Sequence, residues 1–160
     1  MDLITKIKPG LFLGSAKHIT NSSELDKLNI NVIINCCDEI EHELSMKYVI
    51  EHFPINDDGL DNSFVKYMDQ AVDKINYYLS QNLNVFVHCV QGISRSAAII
   101  IYYLMRYEKV SFNKAYYRLV ISRPCILPNI TFVKELKKKD IYANSDSDEF
   151  FKNKFSDLQI

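Results

Sequence analysis

Apolar positions along the chain change their spacing in a regular way. Two short uninterrupted runs, "NVIINC" and "VFVHC", have the length and β-branched content of buried strands. "GLFLGS" sets an apolar run between glycines and predicts a strand with a turn. "KYVIEHFPI" predicts another strand, ended by Pro54. From Phe64 the spacing lengthens: Phe64, Met68, Val72, Ile75 and Leu79 fall on one face of a helix. "SRSAAIIIYYLMRYE" is apolar nearly all round, as a helix in the middle of a domain must be. Asn21, with Glu24 three residues on, predicts a helix start in "NSSELDKL". Ser111 and Asn129 stand as N-caps ahead of "FNKAYYRLV" and "ITFVKELKKK". Strands alternating with helices predict an α/β fold, a mostly parallel central sheet flanked by helices. Residues 1–140 read as one domain and residues 141–160 as a polar, acidic tail.

Composition narrows the partners. The 160 residues carry a formal net charge of -1, so no sequence-wide case exists for nucleic acid or an anionic membrane as partner. No apolar run is long enough to span a bilayer. The spacing of Cys36, Cys37, Cys89 and Cys125 matches neither a secreted disulfide framework nor a zinc site. A reducing compartment, cytoplasmic or nuclear, is the default expectation, with no metal or cofactor. The oligomeric state is not legible. Arginine is scarce: Arg95, Arg106, Arg118 and Arg123 are the whole set.

The chemistry concentrates between "VFVHC" and the apolar helix. A strand runs there into a short loop and then a helix N-terminus, where backbone N–H groups collect and the helix dipole favours negative charge. Ligands of α/β sheets bind beyond the carboxyl ends of strands. A Cys89 thiol in that cradle is favoured as thiolate and nucleophile, against the bland reading of a packed cysteine. Five residues separate Cys89 from Arg95, which lets the loop curl round one small anion. The N–H groups of Val90, Gln91, Gly92, Ile93, Ser94 and Arg95 then form an anion nest. Gly92 supplies tight curvature, and Arg95 offers the planar fork that grips two phosphate oxygens. His88 points to the other side of its strand and reads as a support for the loop. Ser96 is placed to reach the Cys89 sulfur.

"HCVQGISRS" matches the H-C-x2-G-x2-R-S/T signature of the cysteine-dependent protein tyrosine phosphatases. The flanks "IKPGLFLGSAKHI", "LNINVIINC" and "AYYRLVISRPCILPNITFVKEL" resemble its small dual-specificity group, so the likeness covers roughly residues 7–136. The resemblance implies phosphorylated proteins as substrates and a two-step route without metal, through a phosphocysteine on Cys89. It also implies a loop aspartic acid as general acid. In "FPINDDGLDNSF" the matching position is Asp57; counting back from the following helix gives Asp58 as the alternative. Arg123 and Asn129 match family positions and read as structural, Arg123 in a buried ion pair and Asn129 as a helix cap. Phosphoinositides and RNA 5′ ends are the competing substrates within the superfamily. A phosphoprotein-binding protein without turnover is the competing function.

Overall fold

The computed structural model describes residues 3–39 and 46–144. Its described elements run β1 (Thr5–Lys8), β2 (Leu11–Ser15), α1 (Lys17–Thr20), α2 (Ser23–Lys27), β3 (Val32–Asn35) and β4 (Val49–His52). These are followed by α3 (Ser63–Ser80), β5 (Val85–Cys89), α4 (Arg95–Tyr107), α5 (Phe112–Ser122) and α6 (Ile130–Lys138). The sheet order is β1-β2-β5-β3-β4. The pairings β2·β5, β5·β3 and β3·β4 are parallel; β1 alone pairs antiparallel, along β2. The expected α/β fold with a mostly parallel sheet is the fold found. Most of the proposed tail, from residue 145 on, lies outside the described residues.

The two-residue period of the strands divides the core into two layers. Val85, Val87 and Cys89 of β5 pack with Leu11, Leu13, Val32 and Ile34 against the large helical side. Phe86, Phe12 and Ile33 face the opposite way, onto Ile19 of α1 and Leu25 of α2. The face chosen by Cys89 is thus the face of α4, the helix that follows it. Every residue of α4 from Arg95 to Met105 is buried, which its all-round apolar sequence required.

One local expectation needs amendment. Asn21 is not the N-cap of the second helix: α1 occupies Lys17–Thr20, Asn21 ends it, and Ser22 stands at the N-cap of α2. The Asn21 side chain instead takes the Ser23 N–H at 3.4 Å, the short-range competition with helix that asparagine favours. The strand β1 has no apolar signature because it is a partly exposed edge, "TKIK". Ser111 and Asn129 cap α5 and α6 as their positions predict, accepting from Lys114 N and Thr131 N.

Candidate active site

The loop after β5 is held from outside. The carbonyl of Val90 accepts from Ala16 N at 3.1 Å, and that of Ile93 accepts from Leu127 N at 3.0 Å. Arg123 takes the two between, through Nε to Gly92 O at 2.9 Å and Nη2 to Gln91 O at 3.5 Å. In a trans peptide the carbonyl and the next N–H point in opposite directions. Four carbonyls pulled outward therefore turn the N–H groups of Gln91, Gly92, Ile93 and Ser94 inward, toward one point. Gly92 has φ +68°, and a Cβ there would collide with the Gly14 carbonyl. Only glycine fits a left-handed bend pressed against a neighbouring strand.

Around that ring stand the candidate side chains. Cys89, Val90, Gln91, Ile93, Ser94 and Arg95 line a cleft of about 400 Å³, closed on its other sides by Glu39, Asp57, Leu127 and Asn129. Cys89 is 2% exposed, at the floor. Ser96 Oγ, behind it, donates to the Cys89 Sγ at 3.2 Å. His88 is fully buried on the far face, stacked on Phe86, with Nδ1 3.3 Å from the Cys89 carbonyl. Its described contact with the loop is this one, to the main chain of Cys89.

Arg95 is 4% exposed and oriented from one edge. Its Nη1 donates to Glu39 Oε2 at 2.6 Å and to the Ile55 carbonyl at 3.2 Å. Its Nε is buried with no hydrogen-bond partner among the described residues, 3.7 Å from Asp57 Oδ2. A buried guanidinium N–H left unsatisfied is costly unless a ligand completes it. The inward amides and this Nε together describe a seat for an oxyanion.

The two candidate acids separate cleanly. Asp57 lies in the cleft, its Oδ1 accepting from Ser94 Oγ at 2.6 Å. Asp58 is exposed and spent on its own loop: its carboxylate accepts from Asn56 Nδ2 at 3.0 Å and from Leu60 N at 2.8 Å. Asn129 caps α6 with its oxygen and donates its amide to the Asp57 carbonyl at 2.7 Å, tying the acid-bearing loop to the helix. The described partners of Arg123 are carbonyl and hydroxyl oxygens, those of Gln91 and Gly92 and also Leu3 O and Thr5 Oγ1.

Glu39 was not singled out from the sequence. Burial pushes its carboxyl up, yet the hydrogen bond from Arg95, further hydrogen bonds and the Arg95 charge together outweigh this and hold it below the ordinary glutamate value. The signal was topological: Asp38 and Glu39 follow β3, whose carboxyl end lies beside that of β5. Cys36 and Cys37, just past the same strand, are pushed the other way by burial, Cys37 to about 12, so they are thiols and not thiolates. All four cysteines are free. Among the described residues, no group of three or more acidic, histidine or cysteine side chains could hold a metal ion, and no helix is long and apolar enough to cross a membrane.

Comparison with known proteins gives a consistent result. The family described as "dual specificity phosphatase, catalytic domain" matches residues 11–141. The chain is 34% identical over 133 residues to human dual specificity protein phosphatase 9, covering 82% of this chain and 34% of that protein. It is also 34% identical over 131 residues to human dual specificity protein phosphatase 1, covering 82% of this chain and 35% of the relative. It therefore spans about a third of the length of each. Among solved structures, the human tyrosine phosphatase-like serine/threonine/tyrosine-interacting protein superposes with a TM-score of 0.79 at 28% identity, over 85% of this chain and 94% of that one.

Proposed function

This chain belongs to the dual-specificity phosphatase family, and from that premise we propose that it hydrolyses phosphotyrosine and phosphoserine/threonine in proteins through a phosphocysteine on Cys89. The observation that carries the reading is the convergence, in one cleft, of the Cys89 sulfur, the inward amides and the unsatisfied Nε of Arg95. Phosphorylated proteins are the proposed partners, in a reducing compartment where Cys89 stays free.

In the first step the Cys89 thiolate attacks phosphorus. The S–P bond forms as the ester P–O bond breaks, and the proton of Asp57 passes to the leaving oxygen. The amides and Arg95 bear the charge on the three equatorial oxygens, which removes the repulsion between a thiolate and a dianion. Losing one such preorganised donor typically costs about 10²–10³ in rate. In the second step Asp57, now a carboxylate, takes a proton from water as the water oxygen attacks phosphorus. The S–P bond then breaks, and the Ser96 hydroxyl, 3.2 Å from the sulfur, stabilises the departing thiolate.

The chain supplies the positive charge for both steps from Arg95 and main-chain dipoles. Turnover of p-nitrophenyl phosphate should therefore persist in chelator and be lost in Cys89→Ser. Full activity of that variant would refute the assignment. Capture of phosphopeptides by the unaltered chain without any hydrolysis would favour a binding function instead.

A further inference from the structure

Ser94 stands at the N-cap of α4, where a serine ordinarily turns its hydroxyl onto the helix's own first N–H groups. Here the side chain makes no such bond. Its oxygen accepts the main-chain N–H of Asn129 at 2.9 Å, and its proton goes to Asp57 Oδ1 at 2.6 Å. The helix has given up a stabilising contact. A residue that breaks a local rule in this way, at the edge of a reactive cleft, is expected to have a compensating use.

The direction of these bonds has a consequence. The Asn129 N–H can only donate, so it occupies a lone pair of Ser94 Oγ. The single hydroxyl proton is then aimed at Asp57 Oδ1. A proton on Oδ1 would have to face that hydroxyl proton, so Oδ2 is the oxygen left to carry it. Oδ2 is also the oxygen that approaches Arg95, at 3.7 Å from Nε, and so borders the anion seat. Asn129 fixes the same loop a second time through its side-chain amide on the Asp57 carbonyl.

We infer that Ser94 is a positioning residue that selects which oxygen of Asp57 holds the transferable proton. The inference rests on the phosphatase reading above. In the transfer, the Oδ2–H bond breaks as the O–H bond of the leaving alcohol or phenol forms. Asp57 is left a carboxylate, with Oδ1 still bonded to Ser94. The same contact joins the phosphate loop to the acid loop, so the nest and the acid keep one register.

The competing reading is that Ser94 merely pins the segment before α6. The two differ in what Ser94→Ala does. If Ser94 acts through the acid, kcat/KM falls about 10- to 30-fold for phenyl phosphate, whose leaving group needs a proton, and at least several-fold less for p-nitrophenyl phosphate. In an Asp57→Asn background the same substitution adds nothing further on phenyl phosphate. Inhibition by inorganic phosphate shifts less than about 3-fold, which also reports that the cleft is folded. Ser94→Cys, which fills the same space with a poor hydrogen-bond donor, gives the same leaving-group split.

Equal losses on both substrates, or a loss that persists in the Asp57→Asn background, would overturn the inference. If Asp57→Asn itself discriminates between the two leaving groups while Ser94→Ala does not, Asp57 remains the acid and only the role of Ser94 falls. If Asp57→Asn does not discriminate, the acid assignment fails and the inference fails with it.

Discussion

Arg95 divides its guanidinium between Glu39 and the cleft: Nη1 bonds the Glu39 carboxylate at 2.6 Å, while the buried Nε has no hydrogen-bond partner among the described residues. The acidic residue fixes one edge of the arginine and leaves another to border the cleft. The arrangement also brings a negative charge close to the seat, and the two effects oppose each other. Glu39 is half-exposed and water screens its repulsion, so positioning should dominate.

Glu39→Ala should therefore lower kcat/KM on p-nitrophenyl phosphate by about 10-fold. This is less than the loss of a whole donor, because the Ile55 carbonyl still holds Nη1. Glu39→Gln keeps an acceptor and should stay within about 3-fold of the parent. The carboxyl is depressed in the folded chain, so its contribution is present above the ordinary value of 4.5 and is lost as pH falls through the lowered one. Identical kinetics for the Ala and Gln variants would show the contact to be incidental.

Asp57 and Asp58 are adjacent and chemically equal, so the assignment turns on geometry alone. Asp57→Asn should cost about 10²–10³ in kcat/KM for phenyl phosphate and much less for p-nitrophenyl phosphate. Asp58→Asn, altering an exposed turn, should cost less than about 3-fold on either. A Brønsted plot against leaving-group basicity for both variants makes the distinction, and the reverse pattern would transfer the role to Asp58.

Alkaline stability should depend on two tyrosines remote from the cleft. Tyr78 and Tyr102 are both pushed up to about 12, first by burial and then by hydrogen bonds to Glu51 and Asp69. A raised value means that the stabilisation is complete below the ordinary value of 10.0 and is lost as pH climbs toward 12. Urea midpoints measured across that window should fall for the parent chain and fall less steeply for the Tyr78→Phe/Tyr102→Phe variant. Parallel curves would contradict the linkage.

Much of this molecule is written in short-range pattern. The strands around Ile33 and Val87 and the wholly buried α4 follow from apolar periodicity. The tight loop from Cys89 to Arg95, with its left-handed bend at Gly92, follows from the glycine set between strand and helix. What sequence could not supply was which long-range contact wins. The edge strand β1 is polar because one side of it is open. Glu39 reaches Arg95 only because β3 and β5 are neighbours in the sheet, and Ser94 abandons its helix only because Asn129 and Asp57 arrive from elsewhere. The choice between Asp57 and Asp58 belongs with these. One residue of register in a loop separates the two, and Asn129, far along the chain, holds that loop through the Asp57 carbonyl.

The account rests on a covalent bond between Cys89 and phosphorus, and that bond can be caught. The unaltered chain is mixed with excess p-nitrophenyl phosphate, quenched in acid during turnover and mapped by peptide mass spectrometry. One added phosphoryl group on the peptide containing Cys89, absent in Cys89→Ser, is the predicted result. Turnover with no phosphorylated intermediate, or with the phosphoryl group on another side chain such as His88 or Ser96, would contradict it.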